Sequence, residues 1–321
     1  MLEIFQDLEV LSIPTTTNFR GINRRELVIF RGTNGWSEFS PFIEYDDAES
    51  KTWLHASLEA AYKPAPKLYK EKININATLP VVAPEKVPNI LNRFPGVKTI
   101  KIKVDSFEKD ADLVEAALDF MPDAKIRLDV NGGWDLKNAL LNLHDFHMRF
   151  GSVFEYIEQP CNAISELKEL KKEVPMKIAV DESIRKFIND DHSELGECAD
   201  FAIIKWQPTG GISKALKLVN EIGLPVVISS ALESGIGLSH GLNLASALSV
   251  EFGCGLGTAN LLSSDIVNED LEIIDGQIEV KVRTPNQEKI EKYRASDERR
   301  TWWINRIERI IKSGGFNEYL N

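Results

Sequence analysis

Six short apolar runs, at residues 97–104, 125–130, 153–157, 177–180, 201–205 and 225–229, recur at intervals of two to three dozen residues. Each is followed by a polar turn and a stretch of helical periodicity. Asp135 stands where a helix N-cap belongs, ahead of Leu136, Ala139, Leu140, Leu143 and Phe146, and Gly223 closes another helix just before Pro225 opens the next run. Strand-helix alternation of this kind demands a parallel sheet, because parallel neighbours need a crossover between them. A doubly wound open sheet and a closed β/α barrel both satisfy it. The runs end in Lys103, Asp129, Glu158, Asp181, Lys205 and Ser229. An open sheet would spread these groups along a line, whereas a barrel gathers them over one mouth. The barrel is the favoured reading.

The flanks differ in character. Residues 1–75 hold β-like runs at 27–31 and 36–39 and a helix near 53–62, and the tail holds a β-like run at 271–282 and charged helices around 288–294 and 301–312. A small α+β domain built from both chain ends is the economical arrangement. It divides the chain into 1–75, a barrel at 76–265, and a completing segment at 266–321. Pro64-Ala-Pro66 marks the linker.

Charge and composition narrow the partners. With 38 Lys+Arg against 49 Asp+Glu the net charge is −11, so neither nucleic acid nor an anionic membrane is an expected partner. The densest basic cluster, residues 20–25, has only Arg20, Arg24 and Arg25. No stretch approaches 18 uninterrupted apolar residues, and the first residues lack a basic, signal-like region. Cys161, Cys198 and Cys254 are scattered and odd in number, as expected of reduced thiols in a cytoplasm. Oligomeric state is not legible, and a monomer is compatible with everything above.

Strand parity then locates a chemistry. Alternate side chains share a face, so Lys101 pairs with Lys103, and Arg127 with Asp129 and Asn131. Likewise Tyr156 pairs with Glu158, Ala179 with Asp181, and Ile203 with Lys205. Five consecutive strands thus offer Lys, Asp, Glu, Asp and Lys at one level. A single carboxylate ending a strand is ordinarily a helix cap or a surface ion pair. Five in register are not, because burying them uncompensated would cost several kcal/mol each. Asp129, Glu158 and Asp181 form an oxygen-only set suited to Mg²⁺. A lysine on each side makes a proton-transfer site, in which Lys101 and the metal would make Lys103 easier to deprotonate.

These residues resemble the enolase superfamily, and within it the o-succinylbenzoate synthases of menaquinone biosynthesis. The resemblance is carried by Lys101-Ile-Lys103, Leu128-Asp-Val-Asn-Gly-Gly-Trp134, Glu158-Gln-Pro160, Val180-Asp-Glu-Ser183, Ile204-Lys205 and Ser229-Ser-Ala-Leu-Glu-Ser-Gly-Ile-Gly-Leu238. It implies a (β/α)₇β barrel of TIM-like form, capped by an α+β domain from both termini. It further implies that Asp129, Glu158 and Asp181 ligate Mg²⁺, with Mn²⁺ as a substitute. Lys103 would be the acid/base residue, Lys101 its modulator, and Lys205 the cation facing an anionic intermediate. Lysine with Mg²⁺ is known for the superfamily as a whole. The implied reaction removes a proton alpha to a carboxylate of a small succinyl-bearing cyclohexadiene, after which hydroxide leaves.

Related members racemise N-succinylamino acids, epimerise dipeptides or cycloisomerise muconate with the same groups. Dipeptide epimerases carry Asp-x-Asp at the eighth strand, where this chain has Gly253-Cys-Gly-Leu-Gly257. A racemase remains the chief alternative, and the compact N-terminal region favours the synthase. A barrel-fold binding protein would be expected to have lost some of the five charges. Weaker expectations concern substrate contacts: Asn131 on the inward face, the hydroxyls of Ser229 and Ser230, and the loop at Gly255, Leu256 and Gly257. Arg20 lies in Phe19-Arg-Gly-Ile22, which resembles the superfamily's capping loop. Arg127 is expected either to touch substrate or to form an ion pair below the metal layer. His144 and His147 lack a third ligand for a zinc site.

Overall fold

In the computed structural model, which describes residues 2–19, 21–186, 192 and 194–320, the chain begins with an antiparallel three-stranded sheet. Its strands are β1 (Gln6–Phe19), β2 (Ile22–Gly32) and β3 (Gly35–Phe39), in that order. Helix α1 (Asp47–Tyr62) follows, and the Asp46 carboxylate caps it by accepting from the Glu49 N–H. After β4 (Lys72–Asn74) the alternation sets in.

The alternating units are β5 (Ala77–Leu79), α2 (Val87–Leu91), β6 (Thr99–Lys103), α3 (Phe107–Phe120), β7 (Lys125–Asp129) and α4 (Leu136–Phe150). They continue through β8 (Phe154–Glu158), α5 (Ile164–Glu173), β9 (Ile178–Val180), α6 (Glu182–Lys186) and α7 (Leu195–Cys198). The series ends with β10 (Phe201–Ile204), α8 (Trp206–Thr209), α9 (Ile212–Ile222), β11 (Val226–Ile228) and α10 (Gly235–Ala247). Asp135 caps α4 and Gly223 ends α9 in a left-handed conformation, as their positions in the sequence suggested.

Strands β5 to β11 form one parallel sheet in chain order, and the sheet curls until its edges meet. The seam is a two-residue segment. Gly255 bridges to Ser229 and donates its N–H to Ile228 O at 2.9 Å, while Cys254 bridges to Ile75 and accepts from Asn76 N at 3.0 Å. Cys254-Gly255 is therefore the eighth stave of a (β/α)₇β barrel. Sequence reasoning started the barrel's strands at residue 97 and passed over β5, whose three residues give periodicity nothing to register.

The tail returns to the first sheet. Strand β12 (Gln277–Glu279) pairs antiparallel with β4, and α11 (Gln287–Tyr293), α12 (Asp297–Lys312) and α13 (Asn317–Leu320) follow. One apolar cluster combines Val10, Phe30, Phe39, Trp53 and Leu58 with Trp303, Ile307 and Ile310. Phe39 and Trp303 meet edge to face at 5.8 Å, and the Trp303 indole donates to Glu26 at 2.8 Å. The two chain ends thus share a core, which is the α+β capping arrangement. Among the described residues no helix is long and apolar enough to cross a membrane.

Candidate functional site

The site begins with strand register. Lys103 opposes Asp129, and Asp129 opposes Glu158 on the next strand. Beyond β8 the ladder climbs. Glu158 opposes Ala179, two residues before Asp181, and Phe201 opposes Ala179, four before Lys205. Ladder partners lie perpendicular to the strands, whereas the mouth lies perpendicular to the barrel axis. With strands tilted by about 36°, residues at one height must advance along the chain from stave to stave. The stagger is therefore what brings Asp181 and Lys205 level with Lys103, Asp129 and Glu158.

The five groups interlock. The Lys101 ammonium lies 2.8 Å from both Asp129 Oδ2 and Glu158 Oε1. Lys103 Nζ stands 3.8 Å from Asp129 Oδ2 and donates to Asn131 Oδ1, whose own Nδ2 donates to Glu182 Oε1 at 3.1 Å. Asn131 holds that position in a left-handed backbone conformation, φ 53°. Lys205 is ion-paired with Asp181 Oδ2, and the Asp181 N–H donates to Gln159 Oε1 at 3.0 Å. Burial works against every charge here. Against that penalty, Asp129 and Glu158 hold the Lys101 ammonium well above the ordinary lysine range, and Lys101 and Lys103 hold Asp129 below the ordinary carboxylate range. Burial and the Asp129 charge push Glu158 up to about 7, with Lys101 only partly offsetting them.

Two carboxylate oxygens in this cluster, Asp129 Oδ1 and Glu158 Oε2, are buried without a hydrogen-bond partner. Unpartnered, acceptor-only oxygens on adjacent strands match what a hard divalent cation seeks, so the donor set fits Mg²⁺. With these rotamers no three acidic, His or Cys side chains among the described residues converge on one point, since Lys101 and Lys205 occupy the carboxylates. Ligation by all three carboxylates calls for other rotamers.

Above the cluster is a pocket. Lys101, Lys103, Asp129 and Asn131 line it from the early staves, Lys205 from the sixth, and Ser229, Ser230 and Gly255 from the last ones. A Cβ at Gly255 would stand 2.5 Å from Ser229 Oγ, so a side chain there would displace the Ser229 hydroxyl from its present position. Ser230 Oγ and Thr258 Oγ1 are 2.7 Å apart.

Sequence reasoning missed Thr78, Glu182 and Arg185, and the capping-domain side chains Phe42, Tyr45 and Trp53, all of which line the same pocket. Thr78 opposes Lys101 and shares its parity, so it was findable once β5 was known. The three aromatic residues come from another domain and leave no signature in the barrel's sequence.

Three expected contacts fall elsewhere. Leu256 is fully buried, with Cδ2 only 2.7 Å from where a Cβ on Gly241 would lie. Gly257 faces Ile75, Phe94 and Ile273. Of the two expectations for Arg127, the geometry matches the ion pair and not the substrate contact. Its guanidinium is fully buried, donates to Glu155 at 2.6 Å, Asn76 at 3.0 Å and Gly253 O at 2.7 Å, and lies 4.8 Å from the Tyr156 ring centroid. Parity gave the correct face, but Arg127 sits one inward layer below Asp129. Arg20 lies outside the described residues.

Residues 10–61 match the family described as enolase N-terminal domain-like, and residues 92–285 the one described as enolase C-terminal domain-like. The o-succinylbenzoate synthase of Mycolicibacterium smegmatis is 38% identical over 310 residues, covering 95% of each chain. That of Mycobacterium tuberculosis is 38% identical over 306 residues, covering 94% of this chain and 92% of the relative. The crystal structure of muconate lactonizing enzyme from Pseudomonas fluorescens complexed with muconolactone superposes with a TM-score of 0.75 at 17% identity. It covers 92% of this chain and all of the other, a likeness of fold.

Proposed function

Because the chain belongs to the enolase superfamily, we propose that it is an o-succinylbenzoate synthase, a cytoplasmic Mg²⁺-dependent lyase. It dehydrates 2-succinyl-6-hydroxy-2,4-cyclohexadiene-1-carboxylate to 2-succinylbenzoate in menaquinone biosynthesis. The observation that carries this reading is the 38% identity to o-succinylbenzoate synthases, which runs through both domains rather than the barrel alone.

The residues divide the work. Lys103, in its neutral form, takes the proton alpha to the ring carboxylate. The resulting ammonium returns that proton to the departing hydroxyl, so a C–H and a C–O bond break, a C=C bond forms, and water leaves. One lysine suffices because both transfers occur on one face. Asn131 aims Lys103 by accepting from its Nζ, and Glu182 fixes the Asn131 amide. The Lys205 ammonium answers the charge that develops on the opposite side. Asp129, Glu158 and Asp181 would hold Mg²⁺, which when bound supplies positive charge at the substrate carboxylate. Lys101 keeps Asp129 and Glu158 together.

The test is an ultraviolet assay of the purified protein with the cyclohexadiene substrate and Mg²⁺, repeated with EDTA. Conversion to the aromatic product that EDTA abolishes is the expected result. Folded, Mg²⁺-binding protein that converts none of it would overturn the synthase reading.

A further inference from the structure

The loop after β11 carries Ser229, Ser230 and Ala231, which form one wall of the pocket, and the capping domain grips this loop from behind. Glu38, at the end of β3, is fully buried. Its carboxylate accepts from the Ser234 N–H at 3.1 Å, the Gly237 N–H at 3.2 Å and the Ser234 hydroxyl. These donors are the unsatisfied N-terminal groups of α10, so a residue of one domain caps a helix of the other.

Arg25 of β2 donates to Ala231 O and Leu232 O, each at 3.1 Å, and also to Ser40 O. Between these two grips Leu232 adopts φ 63°, a conformation disfavoured for leucine. Glu233 folds back to accept the Ala231 N–H at 2.6 Å. Gly237 admits the arrangement, since a Cβ there would lie 2.7 Å from Glu233 Cβ and 3.0 Å from Glu38 Cδ. A strained loop persists only where its surroundings over-determine it. Here the surroundings are Glu38 and Arg25.

We propose that Glu38 is a positioning residue: through α10 and the strained 231–234 loop it sets the Ser229–Ser230–Ala231 wall against which the substrate binds. The inference takes its substrate from the synthase reading but its geometry from the clamp alone. The clamp holds the loop after β11, whereas Lys103, Asp129 and Glu158 stand on β6 to β8 on the other side of the pocket, so binding rather than chemistry depends on it.

Glu38→Ala removes both oxygens through which Glu38 holds α10, and Glu38→Gln keeps one as an acceptor. In the synthase assay KM is expected to rise about tenfold in Glu38→Ala, the equivalent of one lost buried hydrogen bond. The expected change in kcat is below about threefold, with most of KM restored in Glu38→Gln. Asp265→Ala is the control, because Asp265 caps the same helix at Gly235 N (2.9 Å) without belonging to the clamp. It is expected to lower thermal stability and leave KM alone.

Hydrogen–deuterium exchange needs no substrate, and amides 229–234 should exchange faster in Glu38→Ala than in the wild type. Wild-type KM in Glu38→Ala, or an equal KM rise in Asp265→Ala, overturns the proposal. Should Glu38→Ala not fold, Ser234→Ala replaces it, and unchanged exchange over 229–234 there overturns the proposal equally. A wild-type protein without turnover counts against the synthase reading only, and the exchange comparison still decides this one.

Discussion

Lys103 and Asp129 are ladder partners on adjacent parallel strands, with the ammonium 3.8 Å from the carboxylate. The proposed base is thus fixed beside the proposed metal ligand by backbone hydrogen bonds rather than by loop conformation. Lys103→Ala should lower kcat by about 10²–10⁴-fold, the usual worth of a positioned acid/base group. Mg²⁺ binding, followed by calorimetry, should persist, because the carboxylates remain. Turnover near the wild-type level would remove Lys103 from the role.

Glu158 is buried and keeps Oε2 unpartnered. Glu158→Gln replaces one carboxylate oxygen with a donor that cannot ligate a cation. Titration calorimetry should show Mg²⁺ affinity reduced by more than about tenfold, since even outer-shell changes cost roughly 10–100-fold. Unchanged affinity would exclude Glu158 as a ligand.

Arg127→Ala tests whether this arginine supports the barrel interior rather than the substrate. Its removal leaves Asn76 Oδ1 and Gly253 O without their donor inside the barrel and takes the cation from the partly exposed Glu155. Each buried acceptor left without its donor costs about 1–3 kcal/mol, so the urea midpoint should fall sharply. KM of the protein that remains folded should not move. A raised KM at full stability would restore Arg127 as a substrate contact.

Glu38 gives a pH signature. Burial and the neighbouring Glu233 push its carboxyl up from the ordinary glutamate value of 4.5 to about 7. Between those pH values the native state holds a proton that the unfolded chain has released, so stability is greatest below about 4.5 and is lost as pH rises through about 7. The shift corresponds to about 3 kcal/mol. Urea unfolding at pH 5 and 7.5 should show a smaller difference between the two conditions in Glu38→Gln than in the wild type. Equal differences would refute the assignment.

The barrel and its five charges were legible because two periodicities coincide in the sequence: one spaces the staves, and a two-residue one turns Lys103, Asp129 and Glu158 inward. Height along the barrel was legible only in part. Arg127 has the parity of Asp129, and nothing in a strand's own sequence says which inward layer a residue occupies. The position of the eighth stave at residues 253–257 was legible only through the family resemblance, because Cys254-Gly255 is two residues long and glycine-flanked and carries no periodicity of its own. Tyr45 and Trp53 were invisible for a different reason. Their place at the mouth depends on how two domains dock, and periodicity reports one element at a time.

The shared core of the two chain ends also governs how the protein can be made. Phe30, Phe39, Trp53 and Leu58 emerge from the ribosome early, but Trp303, Ile307 and Ile310, which cover them, are separated from them by the whole barrel. At typical elongation speeds of about 5–20 residues per second, the wait is on the order of tens of seconds. During that interval α1 covers the first sheet only in part, and a vectorially synthesised chain must either shield the remaining apolar surface or risk pairing with another nascent copy. The barrel seam imposes the same delay, since Ile75 joins Cys254 only after every intervening stave exists. For this topology translation and folding are not concurrent: the decisive contacts of both domains form when the chain is nearly finished.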